Sequence, residues 1–210
     1  MNTLGVYGGT FNPIHHGHLA LARGLRNTFA LPEVRLIPTG EPPHRPPPQV
    51  PAAQRFAWVR DALAGEAGLI ADDIELRRSG YSYTIDTLTQ LQRERPDALL
   101  VWLIGADSLA QLPTWRDWRQ LLELGHLVVA ARPDTDLASL PAEIAVEFAR
   151  RRLEAKPDAL TKGKLSVLPS PLLPFSSTEL RARLACGEDI SAQSPVARAI
   201  MDSGLYRNHA

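Results

Sequence analysis

Leu4-Gly5-Val6-Tyr7-Gly8-Gly9-Thr10-Phe11-Asn12-Pro13-Ile14-His15-His16-Gly17-His18-Leu19 is the stretch that decides the fold. A short β-rich run, Leu4 to Tyr7, passes through two glycines into a helical stripe that starts at His18 and continues through Ala22, Leu25 and Phe29. Working outward, β-like runs recur at Val34 to Ile37, Asp73 to Leu76, Leu99 to Ile104, Leu127 to Ala131 and Lys164 to Leu168. Helical patterns lie between them. One runs from Ala52 to Ala64, with Phe56, Val59 and Leu63 on one face. Another runs from Tyr83 to Arg95 and is stopped by Pro96, with Ile85, Leu88 and Leu91 pointing one way. This alternation implies β-α-β units, hence an α/β fold whose central sheet is mostly parallel and covered by helices on both faces. The 210 residues are expected to form one domain, with the C-terminal helical segment, about 176–210, packed on the same core.

In such a sheet the ligand crevice lies outside the carboxyl ends of the strands. That directs attention to residues 8–18. The two glycines let backbone approach a phosphate closely, and the helix start offers unpaired N–H groups and the positive end of a dipole. Neither Gly-x-x-x-x-Gly-Lys-Ser/Thr nor Gly-x-Gly-x-x-Gly occurs anywhere in the chain, so a different phosphate site is needed. His15 and His18, three apart at the helix entrance, can reach one ligand from one side as two neutral or cationic donors. Three readings of His15, His16 and His18 stand side by side: a metal site, a structural helix start, and a phosphate grip. No carboxylate or cysteine within the segment completes a metal site, and the flanking strand and helix favour phosphate.

Composition narrows the classes further. Apolar residues make up 44%, enough for a sizeable core, and 23 basic side chains balance 23 acidic ones, so no global field draws the chain to nucleic acid or an anionic membrane. The longest apolar runs fall far short of the roughly 20 residues that span a bilayer, and no secretory signal is visible at the N-terminus, so a cytoplasmic protein is expected. Cys186, the only cysteine, excludes an intrachain disulfide and reads as a small residue late in a helix. Seven of the 18 prolines lie between Pro38 and Pro51, a stiff loop bracketed by a strand and a helix. Arg150, Arg151 and Arg152 read as the solvated face of an amphipathic helix with Ile144 and Phe148. In Ser176-Ser177-Thr178-Glu179, Ser176 can cap a helix while Glu179 reaches back as the second half of a capping box. Asp107, after the strand ending at Ile104-Gly105, can cap the helix that follows.

The segment from Gly8 to Leu19 resembles the His-x-Gly-His motif of the nucleotidyltransferase superfamily, most closely that of the bacterial nicotinate-nucleotide adenylyltransferases. Six further segments are similar in the same order: Pro42-Pro43-His44-Arg45, Tyr81-Ser82-Tyr83-Thr84, Ile104-Gly105-Ala106-Asp107-Ser108-Leu109, Pro113-Thr114-Trp115, Ala131-Arg132-Pro133 and Ser176-Ser177-Thr178-Glu179-Leu180-Arg181. Asn12 and Phe175 depart from the usual Asp and smaller aliphatic. The resemblance implies a Rossmann-like three-layer fold and transfer of AMP from ATP to nicotinate mononucleotide, by direct in-line displacement without a covalent intermediate. It implies catalysis by His15, His18 and Arg181, with ATP held by those residues and by Gly8, Gly9, Thr10, Phe11, Ile104, Gly105, Asp107, Ser176, Ser177 and Thr178. It puts the mononucleotide against His44, Arg45, Tyr83, Thr84, Ile85, Trp115, Arg116 and Arg132. Magnesium is expected on the ATP phosphates with no protein ligands, and no nucleic-acid or membrane partner is expected. Trp115, read as lying in the first turn of a helix that begins at Pro113-Thr114, is expected to face the crevice while Trp118 packs inward. Transfer to another phosphomonoester, use of CTP, and a non-catalytic nucleotide-binding regulator are the rival readings.

Overall fold

The computed structural model describes residues 2–43, 46–131, 139–169 and 176–207. Among these, β1 (Thr3–Gly9), β2 (Val34–Pro38), β3 (Leu69–Ala71), β4 (Leu99–Gly105), β5 (His126–Ala131), β6 (Arg152–Leu153) and β7 (Leu165–Pro169) form one sheet in the order β3-β2-β1-β4-β5-β7-β6. Every neighbouring pair is parallel. The helices are α1 (His16–Thr28), α2 (Ala52–Ala62), α3 (Thr84–Glu94), α4 (Ala106–Gln111), α5 (Trp118–Leu124), α6 (Ala142–Arg151), α7 (Ser177–Ala185) and α8 (Ala197–Ser203).

Register sorts the side chains into two layers, because partners across a parallel pair share a face. Val6 lies beside Trp102 and Gly8 beside Ile37. Leu4, Val6, Ile37, Leu100, Trp102, Ile104 and Val129 therefore pack with Ile85, Leu88 and Leu91 of α3, Leu121 of α5 and Ile144 of α6. On the other face Tyr7, Leu36, Val101, Leu103 and Val128 meet Leu19, Ala22 and Leu25 of α1, Trp58 and Val59 of α2, and Leu180, Leu184 and Ile200 of α7 and α8. The result is the expected Rossmann-like three-layer α/β arrangement, and the C-terminal helices share a core cluster with α1. Strand β4, apolar from end to end, occupies the middle of the sheet. Because β2 lies on one side of β1 and β4 on the other, the strand order reverses between β1 and β4, and a crevice opens at their carboxyl ends.

Several local expectations are corrected. Asp73 to Leu76 is a turn, and the third strand is Leu69–Ala71. Asp72 accepts the Ile74 N–H at 2.9 Å, an Asx-type turn that ends the strand, while Ile74 is buried as a core plug. The buried face of α2 carries Arg55, Trp58, Val59 and Ala62, with Phe56 only half-buried. Arg151 is 7% exposed: it donates to Glu147 at 2.6 Å, to Glu123 at 2.5 Å and to the Gly163 carbonyl at 2.7 Å, so only Arg150 and Arg152 face solvent. Pro113 to Trp118 does not begin one helix. A single 3₁₀ turn, Leu112–Thr114, closes with Trp115 in extended conformation, and α5 starts at Trp118 after Asp117 takes a φ of 52°. Cys186 is exposed at the C-cap of α7.

Candidate active site

The crevice at the switch point holds a cavity of about 380 Å³, within the range of small-ligand sites. Its origin is a missing side chain. Gly8 belongs to the face of β1 that carries Val6, and a Cβ placed there would meet nothing within 4 Å, so the space between Ile37 and Ile104 stays open above Val6. Gly9 points the other way, where a Cβ would lie 3.1 Å from the Phe11 ring. Phe11 needs that room: with φ at 46° it turns into the core and packs edge-on against Tyr7 and His18. Beyond it the chain passes a cis Asn12-Pro13 bond into α1.

His15 is the N-cap of α1. Its Nδ1 accepts from the Gly17 N–H at 3.1 Å, and its own N–H donates to Nδ1 of His18 at 3.2 Å, making a capping box from two imidazoles. The rings stack with centroids 3.8 Å apart. Since both Nδ1 atoms accept, both rings are neutral tautomers that carry the proton on Nε2. Burial, with His16 nearby, pushes the His15 pKa down to about 4, and burial next to His15 holds His18 well below the usual histidine range. The pair thus supplies neutral N–H donors in place of a cationic grip. The same geometry disfavours a metal, because the Nδ1 lone pairs are already used, and no group of three His, Cys, Asp or Glu side chains converges among the described residues.

The loop between the glycines and the histidines is stapled through its carbonyls. Arg55 donates to Thr10 O at 2.7 Å, Arg181 to Asn12 O at 2.8 Å, Ser177 to Pro13 O at 3.1 Å and Ser194 to Ile14 O at 2.9 Å. Tyr206 donates its hydroxyl to Asn12 Oδ1 and stacks on Trp58. Arg55 is 1% exposed and also donates to the carbonyls of Val50, Thr39 and Gly40, so a buried guanidinium ties the end of β2 to that of β1. Burial lowers its pKa, while nearby Tyr206 and Glu75 favour the charged form. Ser176 caps α7 through the Glu179 N–H at 3.2 Å, but Glu179 makes no return bond, so the expected capping box is only half formed.

The expected site residues fall into two groups. Gly8, Gly9, Thr10 and Ile104 line the cavity together with Tyr83, Thr84, Trp115 and Arg116. His15, His18, Ser177 and Arg181 gather instead around the loop from Asn12 to Ile14. Phe11 and Ile85 are core side chains and neither lines the cavity; Ile85 lies in the first turn of α3, where amides lack intrahelical partners. Gly105, not Asp107, is the N-cap of α4; Asp107 is exposed in the first turn, makes no cap bond and does not line the cavity. Thr178 accepts from Arg181 at 3.1 Å. Trp115 is half-buried on the cavity wall and Trp118 is buried in the core, as expected. Arg116 lies 4.0 Å over the Tyr83 ring and pairs with Asp86. His44, Arg45 and Arg132 lie outside the described residues.

Sequence reading missed Arg55, Ser194, Tyr206 and Trp102, and also a buried set on the cavity wall. There Thr87 donates to Glu75 at 2.7 Å and accepts from Arg78 at 2.6 Å, and Gly40 N–H bonds Ser82 Oγ at 3.1 Å. For Arg55 a signal existed, since it sits at i, i+3, i+4 and i+7 with Trp58, Val59 and Ala62.

A family described as Cytidylyltransferase-like matches residues 6–183. A Chromobacterium violaceum protein named "Probable nicotinate-nucleotide adenylyltransferase" is 47% identical over 208 residues, covering 97% of this chain and 98% of that one. A Pseudomonas aeruginosa protein of the same name is 43% identical, covering 97% of each. In fold, the chain is similar to the Plasmodium falciparum nicotinic acid mononucleotide adenylyltransferase complexed with NaAD, with a TM-score of 0.76 at 17% identity over 98% of both chains. Among the described residues no helix is long and apolar enough to cross a membrane. With relatives this similar along nearly its whole length, the chain belongs to the nicotinate-nucleotide adenylyltransferase family, nucleotidyltransferases of Rossmann-like fold.

Proposed function

We propose that this protein transfers AMP from ATP to nicotinate mononucleotide, giving nicotinate adenine dinucleotide and pyrophosphate. The observation that carries the reading is the cavity beside Gly8, which adjoins the histidine loop at Gly9 and Thr10, so that two ligands can meet at the end of β1. The names of the relatives supply the substrate pair.

In this reading an oxygen of the mononucleotide 5′-phosphate attacks the α-phosphorus of ATP, the bond to the β-phosphate oxygen breaks in line, and pyrophosphate leaves with that electron pair. No protein nucleophile is required, because the attacking phosphate carries roughly −1.5 to −2 charge near neutral pH. The chain positions two polyanions and stabilises the charge that builds up between them. His15 and His18 donate Nε2–H bonds to the ATP phosphates, and Arg181 with the hydroxyls of Ser176, Ser177 and Thr178 completes that side. Asp107 and Gly105 border the adenosine. The mononucleotide ring lies on Trp115 beside Tyr83, its carboxylate bonded by the first-turn amides of α3 at Thr84 and Ile85, with His44, Arg45, Arg116 and Arg132 toward its phosphate. Amide donors match that anion better than a neutral carboxamide, so the acid is preferred. Bound to the ATP phosphates, magnesium would offset their charge; the hydroxyl, amide and imidazole donors of the site suit phosphate oxygens better than a bare cation.

Pyrophosphate release, measured with ATP or CTP against nicotinate mononucleotide, its amide and phosphopantetheine, tests the reading. The expected result is turnover that requires ATP with nicotinate mononucleotide and falls with the amide. Robust turnover with phosphopantetheine or with CTP would overturn it.

A further inference from the structure

Several of the residues that line the cavity are buried and apolar. Val6, Ile37, Leu88 and Leu121 are essentially fully buried, and beside them stands Trp102, 2% exposed, on β4 in register with Val6. The indole Nε1 of Trp102 is buried and has no hydrogen-bond partner among the described residues. Indole N–H can only donate, and a buried donor left unpaired costs stability. Leaving such a group on a residue that lines a ligand cavity makes physical sense when the ligand brings the acceptor. The polar groups on the wall do not serve it: Glu75 already accepts from Thr87 at 2.7 Å and from Gly40 N–H at 3.4 Å, and Gly40 also bonds Ser82.

We infer that Trp102 is a specificity-determining residue whose indole N–H donates to the oxygen-bearing substituent of the pyridine ring. The inference rests on the proposed reaction. With the mononucleotide phosphate held toward Thr10 and the histidine loop, the ring end is the part that meets Trp102, and the carboxylate is the strongest acceptor that end of the ligand carries. A donor that cannot also accept pairs with either carboxylate oxygen. An unsubstituted pyridine offers it nothing, so the site reads the presence of the substituent as well as the shape of the ring. This donor is additional to the first-turn amides of α3, and it lies on the central strand of the sheet, whose position is set by both layers of the core.

The test is Trp102→Phe, which keeps a ring in the core and removes the N–H. The expected result is a fall in kcat/KM for nicotinate mononucleotide of about tenfold to a hundredfold, the range for losing a hydrogen bond to a charged group. The KM for ATP and the melting temperature should stay close to wild type, and discrimination against a mononucleotide with an unsubstituted pyridine should shrink by the same factor. Unchanged kcat/KM, or equal rises in both KM values, would return Trp102 to the core and overturn the inference. Should the variant not fold, the indole ¹H–¹⁵N resonance of Trp102 in the wild-type protein decides. It should shift on titration with nicotinate mononucleotide and stay in place with ribose 5-phosphate; no shift with either would overturn the inference. If the wild-type enzyme did not turn over nicotinate mononucleotide at all, the reaction reading itself would fail, an outcome distinct from a silent Trp102 variant of an active enzyme.

Discussion

His15 does two jobs with two nitrogens. Its Nδ1 caps α1, and Nε2 carries the proton proposed to meet the ATP phosphates. The two can be separated by substitution. Asn at an N-cap keeps an acceptor in place, so His15→Asn should hold the melting temperature near wild type while kcat falls about 10²- to 10³-fold, the usual loss for a donor that acts in the transition state. His15→Ala should lose the same turnover and also destabilise the protein by about 0.5 to 2 kcal/mol. Steady-state kinetics with thermal unfolding on both variants check this; near wild-type kcat in His15→Asn would leave only the cap. Of the individual residues, the histidine pair was legible from its place after a strand and two glycines, but its charge was not. That depends on Nδ1 accepting backbone N–H groups and on burial, neither of which a spacing of three reveals. Arg55 was hidden because a charge on a helix reads as solvated; what makes it buried is four backbone carbonyls arriving from three other points of the chain.

At the scale of elements, α1 and α3 were readable because each commits one apolar stripe to a layer, and β1 and β4 because each is a short apolar run that feeds both layers. β3 was misplaced by a few residues, since a three-residue edge strand with Ile70 largely exposed carries less apolar pattern than the turn that follows it. The stapling of the loop by α7 and the last turn was not readable, because Tyr206 and Asn12 are 194 positions apart and nothing local links them. Strand β1 itself offers the sharpest element-level test. A Cβ at Gly8 would meet nothing within 4 Å, so Gly8→Val directs its side chain into the cavity. The expected outcome is a melting temperature near wild type with kcat/KM for the mononucleotide lowered about a hundredfold, the scale on which a misplaced reactant loses rate. Isothermal titration with the mononucleotide alone would show the same loss; full binding and activity would mean that the cavity is not where the mononucleotide sits.

For the whole molecule, three histidines are held neutral by the fold. His15 is depressed to about 4 and His18 is held well below its usual range, both chiefly by burial. His126 at the start of β5 is lowered for the same reason, accepting from Thr161 N–H at 3.1 Å and bonding Ser166 at 3.0 Å. Each has a folded pKa below its unfolded value near 6.5, so the unfolded chain binds protons that the folded chain refuses. Stability is therefore full above pH 6.5 and declines as pH falls from 6.5 toward 4, with each histidine contributing at most about 1.4 kcal/mol per pH unit. Thermal unfolding at pH 7.5, 6 and 5 should show a falling melting temperature, and a His126→Gln variant should show a shallower slope. A melting temperature that rises on acidification would contradict the neutral assignment.

The central claim is a single direct displacement at the ATP α-phosphorus by the mononucleotide phosphate. Its most direct test uses one diastereomer of ATP carrying sulfur on the α-phosphorus, with nicotinate mononucleotide and magnesium, followed by identification of the products and of the configuration at that phosphorus. The expected products are pyrophosphate and a thio-substituted dinucleotide with inverted configuration. Retention of configuration, or release of an ADP analogue in place of pyrophosphate, would contradict that claim.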